Sequence, residues 1–279
     1  MCVLPKGYYS IDWDDGQHVI MYNLPQVTSK TTSHGDTKAD FRARLEEIGV
    51  SSMLSECEMI QRSRSWGGCD VYRWRLPDGR ECLVKSLQKR PFWIRLLYGQ
   101  RALRKEEANL RMLQEEGIRV PYSYGMADAN NLFEEYLAGG KVLLSMRHYT
   151  DETKPSREFF KKLTDMVFSM HEHNVCHGDF HRANSMILEA GDPCLLDVAT
   201  ARKLTEKSSW LDRLLFGIFK RADEFSLARI VESYYPDMID KRLQALLDRE
   251  PWYLKIGRWF RHRVYRRIRG KRRRPSAEA

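Results

Sequence analysis

The chain of 279 residues lacks any apolar run that could span a membrane, since no stretch approaches eighteen uncharged apolar residues. Its start, from Met1 to Lys6, has no apolar segment of the kind found in a secretory signal peptide. The six cysteines include no Cys-x-x-Cys pair, so we expect reduced thiols in a reducing cytosol. These absences favour a cytoplasmic protein.

The sequence does have enough apolar material for a core, 42% of its residues, together with 30% charged residues. Its length allows one large domain or two packed lobes. The net charge of +9 is unevenly placed, because residues 251–279 contain eleven Lys or Arg and one acid, Glu278. The rest of the chain is close to neutral, so the basic character belongs to this tail and not to the fold.

The residue pattern predicts four parts of different character. The first is polar and rich in turn residues, and it is expected to be irregular, with a short strand at His18 to Tyr22 and a short helix over 41–49. Strands and one helix follow, then a mostly helical part, and finally a basic amphipathic helix. The predicted bounds are 1–55, 56–137, 138–250 and 251–279.

The stretch 176–199 carries the strongest chemical pattern. It places Asp179, Asn184 and Asp197 in order, five and then thirteen residues apart. Two short apolar runs around a Gly-Asp-Pro turn predict a hairpin that brings Asn184 and Asp197 together, where two oxygen ligands suit Mg²⁺. Asp179, just upstream, is placed to accept a proton from a hydroxyl. One such residue alone would indicate an ordinary buried acid or cap, but three in register favour phosphoryl transfer.

A lysine and a glutamate in the preceding part fit the same chemistry. Lys85 ends an apolar strand, where a lysine can reach nucleotide phosphates, although most strand-end lysines are simply solvated. In the helix predicted over Arg101 to Glu116, Glu106 lies on the apolar face and needs a cationic partner. We expect Lys85 to be that partner, with Glu107 as the alternative if the helix register is shifted by one residue.

Two adjacent glycines precede these residues. Gly67 and Gly68 lie between two predicted strands and could let the backbone approach ATP phosphates. The glycine pattern is incomplete, and a plain hairpin with two glycines explains it equally well.

Together these residues resemble the catalytic machinery of protein-kinase-like phosphotransferases. The resemblance rests on His177-Gly178-Asp179 through Asn184, followed by Leu196-Asp197. It implies an α+β, two-lobed protein-kinase-like fold, with an antiparallel sheet plus one helix in the N-lobe and a mostly helical C-lobe. In such folds an acid further on anchors the catalytic loop. Asp223 is our candidate, although a plain acid at a helix N-terminus is an equal explanation.

The segment 171–203 and the aromatic, basic end of the chain resemble one family in particular, the bacterial lipopolysaccharide core kinases of the heptose (II) kinase type. The resemblance implies transfer of the γ-phosphate of ATP to a heptose or Kdo sugar of the inner core, at the cytoplasmic face of the inner membrane. ATP and Mg²⁺ are the implied cofactors. The lack of a long activation segment beyond Asp197 argues against a typical peptide-substrate kinase.

The resemblance also assigns roles to the residues. Asp179 would be the catalytic base, Asn184 and Asp197 would hold Mg²⁺, and Lys85, fixed by Glu106, would position the nucleotide phosphates. Gly67 and Gly68 would line the phosphates.

The basic helix at 252–274 has three possible roles: packing on the C-lobe, binding nucleic acid or binding an anionic membrane surface. We favour the membrane, since no motif for reading nucleic acid accompanies the helix. Two other functions stay open. One is a small-molecule kinase of the aminoglycoside- or choline-kinase-like type, and the other is a non-catalytic, membrane-associated regulatory protein.

Overall fold

A computed structural model of the protein describes residues 8–12, 18–22, 34–63 and 68–248, and they fall into two compact units. The first unit extends to Leu144 and also includes Ala183–Arg202, while the second comprises Ser145–Arg182 and the chain from Lys203. The predicted 138–250 part is therefore divided. Its hairpin joins the first unit because it pairs with a strand of that unit.

The strands and helices are numbered in chain order. The strands are β1 (Tyr8–Asp12), β2 (His18–Tyr22), β3 (Glu58–Gln61), β4 (Asp70–Arg75), β5 (Glu81–Ser86), β6 (Ser123–Asp128), β7 (Asn131–Glu135), β8 (Lys141–Val142), β9 (Val175–Cys176), β10 (Ser185–Ile187), β11 (Pro193–Leu195) and β12 (Arg202–Lys203). The helices are α1 (His34–Glu56), α2 (Phe92–Ile94), α3 (Gln100–Glu115), α4 (Arg157–Glu172), α5 (Trp210–Tyr234) and α6 (Lys241–Asp248).

The first unit is built on an antiparallel sheet in the order β3-β4-β5-β7-β6. Its central strand β5 alternates between half-buried and buried residues, so it presents different side chains to the two faces of the sheet. Val84 pairs with Phe133 on one face, and Lys85 pairs with Leu132 on the other. The face that carries Val84 is therefore the apolar one, and the opposite face carries the polar side chain of Lys85.

Helix α1 forms the apolar core with the Val84 face of the sheet. Phe41 and Met53 are fully buried there beside Trp74, Val84 and neighbouring aromatic rings. The helix predicted over 41–49 is therefore too short, since α1 extends from His34 to Glu56, whereas the strand predicted at His18 to Tyr22 is present as β2. The helix does break at Gly49, whose φ of 74° is not helical, but it resumes beyond that residue and continues to Glu56.

A second helical segment brings polar side chains to the Lys85 face. It comprises α2, a π-helical turn at Arg95–Gly99 and α3, which follow one another without a break. Helix α3 closely matches the helix predicted over 101–116, and its buried residues include Leu103, Leu110 and Glu106. The prediction that Glu106 points inward is confirmed.

The predicted hairpin beyond the catalytic loop is also present. Strands β10 and β11 pair antiparallel, with Ser185 opposite Leu195, and β10 pairs on its other side with β8. β8 follows directly after Gly140, where a β-carbon would lie 2.5 Å from the sulphur of Met186 and 3.0 Å from the carbonyl oxygen of Leu137. Glycine at this position lets the chain pass close to β10.

The second unit is mostly helical, as expected. Helix α4 begins after Ser156, whose hydroxyl accepts a hydrogen bond from the Phe159 amide, so the predicted cap is confirmed. Helix α5 runs unbroken from Trp210 to Tyr234, although the sequence suggested two helices with Asp223 at the start of the second. Across the parts of the chain described, no helix has both the length and the apolar character needed to cross a membrane.

Candidate active site

Lys85 is the centre of a buried ionic cluster in the first unit. Its Nζ lies 2.5 Å from Oε1 of Glu106 on α3 and 3.0 Å from Oε1 of Glu134 on β7. The expected pair of Lys85 and Glu106 is therefore present, and the alternative partner Glu107 instead contacts Arg111. A buried cation between two carboxylates can hold its ammonium group in one position.

The protonation of the cluster follows from its burial. Burial alone would lower the pKa of Lys85, but the carboxylates of Glu106, Glu134 and Asp197 outweigh it and raise this pKa well above its usual value. Burial raises the pKa of Glu134 to about 7 even though Lys85 opposes the shift. Lys85 is thus predominantly charged at neutral pH, while Glu134 is the carboxyl group that changes protonation there.

The raised pKa of Glu134 predicts that the free energy of unfolding depends on pH. Because the pKa of Glu134 is higher in the folded protein than in the unfolded chain, the folded state binds more protons between about pH 4.5 and pH 7. Stability should fall as pH rises through that window. Glu134→Gln should remove this part of the slope and gain on the order of 1–3 kcal/mol relative to wild type at pH 8.

Urea unfolding of both proteins at pH 5 and pH 8 measures the change. Glu115→Gln, at an exposed position of α3, is the matched control and should keep the wild-type slope. An identical pH slope in wild type and Glu134→Gln would contradict the assignment.

Asn184 directly precedes β10, and Asp197 follows β11. The β10–β11 hairpin brings the backbones of the two residues together. The Leu196 amide donates to the carbonyl oxygen of Asn184 at 2.9 Å. The side chain of Asn184 is buried, whereas Asp197 is exposed. Asp197 adopts a left-handed conformation, with φ 53° and ψ 62°, which non-glycine residues seldom adopt and which often marks a functional position.

The residues of this unit fit Mg²⁺ and the phosphates of a nucleotide. Asn184 and Asp197 offer amide and carboxylate oxygens, the donor types that Mg²⁺ prefers, and Lys85 offers a fixed positive charge. The Asp197 carboxylate also contributes to the field at Lys85. Oε1 of Glu134 is buried and lies 3.0 Å from the Lys85 ammonium, so Glu134 helps to fix the position of that charge.

Only one residue of the predicted glycine pair lies within the described part of the chain. Gly67 lies outside the described residues, whereas Gly68 lies in the connection between β3 and β4. Its neighbour Cys69 is close enough to the ionic cluster for Glu106 and Lys85 to influence its thiol. Burial raises the pKa of Cys69 to about 12, so this thiol stays protonated at neutral pH. Gly68 thus directly precedes a residue whose thiol is influenced by the Lys85 cluster.

The second unit contains Asp179 and His177 of the predicted catalytic loop. Asp223, in the middle of α5, accepts hydrogen bonds from the backbone amides of His177 at 2.7 Å and Gly178 at 3.1 Å. The prediction that Asp223 anchors this loop is confirmed. His177 is fully buried and its Nδ1 accepts from the Asp179 amide at 3.4 Å, while the Asp179 side chain is 58% exposed.

Removal of the Asp223 carboxylate should lower the free energy of unfolding. Asp223→Ala would leave the amides of His177 and Gly178 without their acceptor, and charge-assisted hydrogen bonds contribute about 1.5–3 kcal/mol each. We expect a loss on the order of 3 kcal/mol in the free energy of unfolding, measured by urea denaturation. Asp223→Asn keeps one accepting oxygen and should lose about half as much. Equal stability of wild type and Asp223→Ala would contradict the anchoring role.

Three residues of the first unit were missed by sequence reasoning: Glu134, Cys69 and Asn109. Glu134 and Glu135 are adjacent on β7, and alternation alone does not say which of them faces Lys85. Asn109 is buried on the same face of α3 as Glu106, three residues further on, and its spacing within the apolar stripe was the available signal.

Comparisons with known proteins fit this geometry. The RIO domain matches residues 95–214. The chain is 25% identical over 169 residues to the EKC/KEOPS complex subunit bud32 of Dictyostelium discoideum, covering 58% of this chain and 62% of that protein. It is 29% identical over 119 residues to the serine/threonine-protein kinase RIO2 of Caenorhabditis elegans, covering 40% of this chain and 21% of that protein. The chain thus spans less than two thirds of either relative.

The class of protein is now defined. The fold is protein-kinase-like, with an antiparallel sheet in the first unit and a mostly helical second unit. The relative RIO2 is named as a serine/threonine-protein kinase, and the predicted cofactors ATP and Mg²⁺ are those that RIO kinases use. More particularly, its similarity is to the RIO domain, an atypical group of protein kinases.

This similarity corrects the finer sequence-based identification. The resemblance to bacterial lipopolysaccharide core kinases was wrong, because the RIO domain matches the segment that carried it. A heptose or Kdo sugar as acceptor, the lipopolysaccharide core as partner and attachment to an anionic membrane are overturned with it. A non-catalytic protein is not favoured either. The tail at 252–274 lies outside the described residues, and the cytoplasmic location stays a prediction.

Proposed function

We propose that this protein transfers the terminal phosphate of ATP to a serine or threonine hydroxyl of a protein. The observation that carries the proposal is the contact of Lys85 with Glu106 in the same unit as Asn184 and Asp197. A lysine held by a helix glutamate, with an amide and a carboxylate oxygen available for a cation, is the arrangement that phosphoryl transfer requires.

The roles proposed for the residues follow from their chemistry. Lys85 binds and orients phosphate oxygens, since the ionic cluster fixes its charge and position. Asn184 and Asp197 hold Mg²⁺, which neutralises phosphate charge when it is bound. Asp179 orients the acceptor hydroxyl and takes its proton, and its exposed carboxylate is accessible to a macromolecular substrate.

A protein acceptor is supported by the similarity to a relative named as a serine/threonine-protein kinase. The missing activation segment is no argument against it, because the RIO-domain similarity extends through Asp197 to residue 214. The other relative is named as a subunit of a complex, which favours an acceptor protein to which this chain binds stably.

Incubation with γ-labelled ATP and Mg²⁺ tests the proposal, with the protein itself and casein as acceptors. We expect label in phosphoserine or phosphothreonine after acid hydrolysis of the protein fraction, and none from α-labelled ATP. Label that appears only as inorganic phosphate, or only in a small-molecule acceptor such as an aminoglycoside, would contradict a protein acceptor.

A further inference from the structure

Helix α3 carries a second buried polar residue besides Glu106. Asn109 is only 9% exposed and lies three residues further along the helix, so the two side chains share a face. Glu106 contacts Lys85. Asn109 contacts a different part of the first unit, the segment that directly follows Asp197.

The side-chain amide of Asn109 donates to several backbone carbonyls of that segment. Its Nδ2 lies 2.7 Å from the carbonyl oxygen of Val198, 3.1 Å from that of Ala201 and 3.4 Å from that of Ala199. Val198 and Ala201 are buried, so water is a poor substitute for the amide. The Asn109 side chain therefore bonds the short helical turn Val198–Thr200 to α3.

The turn held in this way begins at the residue with the unusual backbone. Asp197 is left-handed, and such a conformation persists in a non-glycine residue only where its surroundings impose it. On one side the β10–β11 hairpin fixes the chain through the bond from the Leu196 amide to Asn184. On the other side Asn109 supplies the contact that fixes the turn after Asp197.

We infer that Asn109 is the positioning residue for the Asp197 carboxylate, an inference that rests on the proposed role of Asp197 as a Mg²⁺ ligand. Helix α3 then sets two parts of the site at once, the Lys85 ammonium through Glu106 and the metal-binding carboxylate through Asn109. A displacement of α3 would disturb phosphate and metal binding together.

Asn109→Leu tests the inference, because leucine has a similar volume and no donor. The readout is Mn²⁺ binding by electron paramagnetic resonance in the presence of a non-hydrolysable ATP analogue. We expect the dissociation constant for Mn²⁺ to rise about tenfold, the usual effect of removing a group that orients a metal ligand. Amide hydrogen exchange over 198–201 should accelerate, and binding of the analogue without metal should be unchanged.

Gln114→Leu is the matched control. Gln114 lies on the same helix, and its amide donates to the backbone carbonyl of Pro121 at 2.9 Å and not to the 198–201 segment. It should leave Mn²⁺ binding unchanged. Asn109→Ser is a milder variant that can still donate one hydrogen bond, and it decides the question if Asn109→Leu does not fold. We expect it to weaken Mn²⁺ binding measurably, by less than the roughly tenfold effect of removing the group altogether.

The outcomes separate this inference from the proposed function. Wild-type Mn²⁺ affinity in a folded Asn109 variant, or equal weakening in Gln114→Leu, would overturn the positioning role alone. A wild-type protein that binds the analogue with no contribution from Mn²⁺ would overturn the metal role of Asp197, and the inference with it.

Discussion

Asp179→Asn is expected to lower the rate of phosphate transfer on the order of 10²–10⁴-fold, the usual contribution of a positioned base. The amide keeps the shape of the carboxylate but cannot take a proton. The free energy of unfolding should hardly change, because the side chain is more than half exposed and surface substitutions of this kind have small effects.

Transfer from γ-labelled ATP at saturating substrate, together with urea denaturation, measures both effects. Asp165→Asn, at an exposed position of α4 in the same unit, is the matched control and should retain the wild-type rate. If Asp179→Asn kept the wild-type rate, the assignment of the base would be wrong.

Lys85→Met is expected to destabilise the protein as well as to inactivate it. It would leave Glu106 and Glu134 facing each other, both buried, without the cation that now lies between them. Removing one partner of a buried ion pair costs about 3–5 kcal/mol. The loss should grow with pH above about 4–5, because the unpaired carboxylates resist ionisation in the folded state only.

The double variant Lys85→Met/Glu106→Gln separates the two effects. It removes one of the stranded carboxylates and should recover part of the stability, measured by urea denaturation at pH 8, but none of the activity. Lys141→Met replaces an exposed lysine of β8 and should leave both quantities unchanged. Stability of Lys85→Met equal to that of wild type at pH 8 would contradict the buried ionic cluster.

The parts of the fold and site that the sequence predicted are those with a regular local pattern. The apolar stripe of α3 placed Glu106 inward, the apolar run that ends at Lys85 predicted the strand β5, and a turn between apolar runs predicted the β10–β11 hairpin. Each depends on a period that neighbouring residues impose, so distant parts of the chain are not needed to recognise it.

The features that were missed depend on contacts between distant residues. Helix α1 has no clear apolar stripe and contains Gly49, so only its packing against the sheet reveals its full length. The orientation of Glu134 is set by strand register, and the partners of Asn109 lie about ninety residues further along the chain. No local pattern carries this information.

The prediction of a sugar acceptor was wrong for a chemical reason. Lys85, Asn184 and Asp197 were chosen for phosphate and Mg²⁺ chemistry, and that chemistry is the same whether a sugar or a protein receives the phosphate. Residues that meet only ATP cannot distinguish acceptors, which is why the comparisons corrected the family while the fold class stood.

Labelling with an acyl-phosphate derivative of ATP, followed by mass spectrometry of the peptides, tests the central claim most directly. Such a reagent transfers its acyl group to a lysine amine next to the bound phosphates. We predict acylation of Lys85 that an excess of ATP with Mg²⁺ prevents. An unmodified Lys85, or labelling of Lys85 that ATP does not reduce, would contradict a nucleotide site at this lysine.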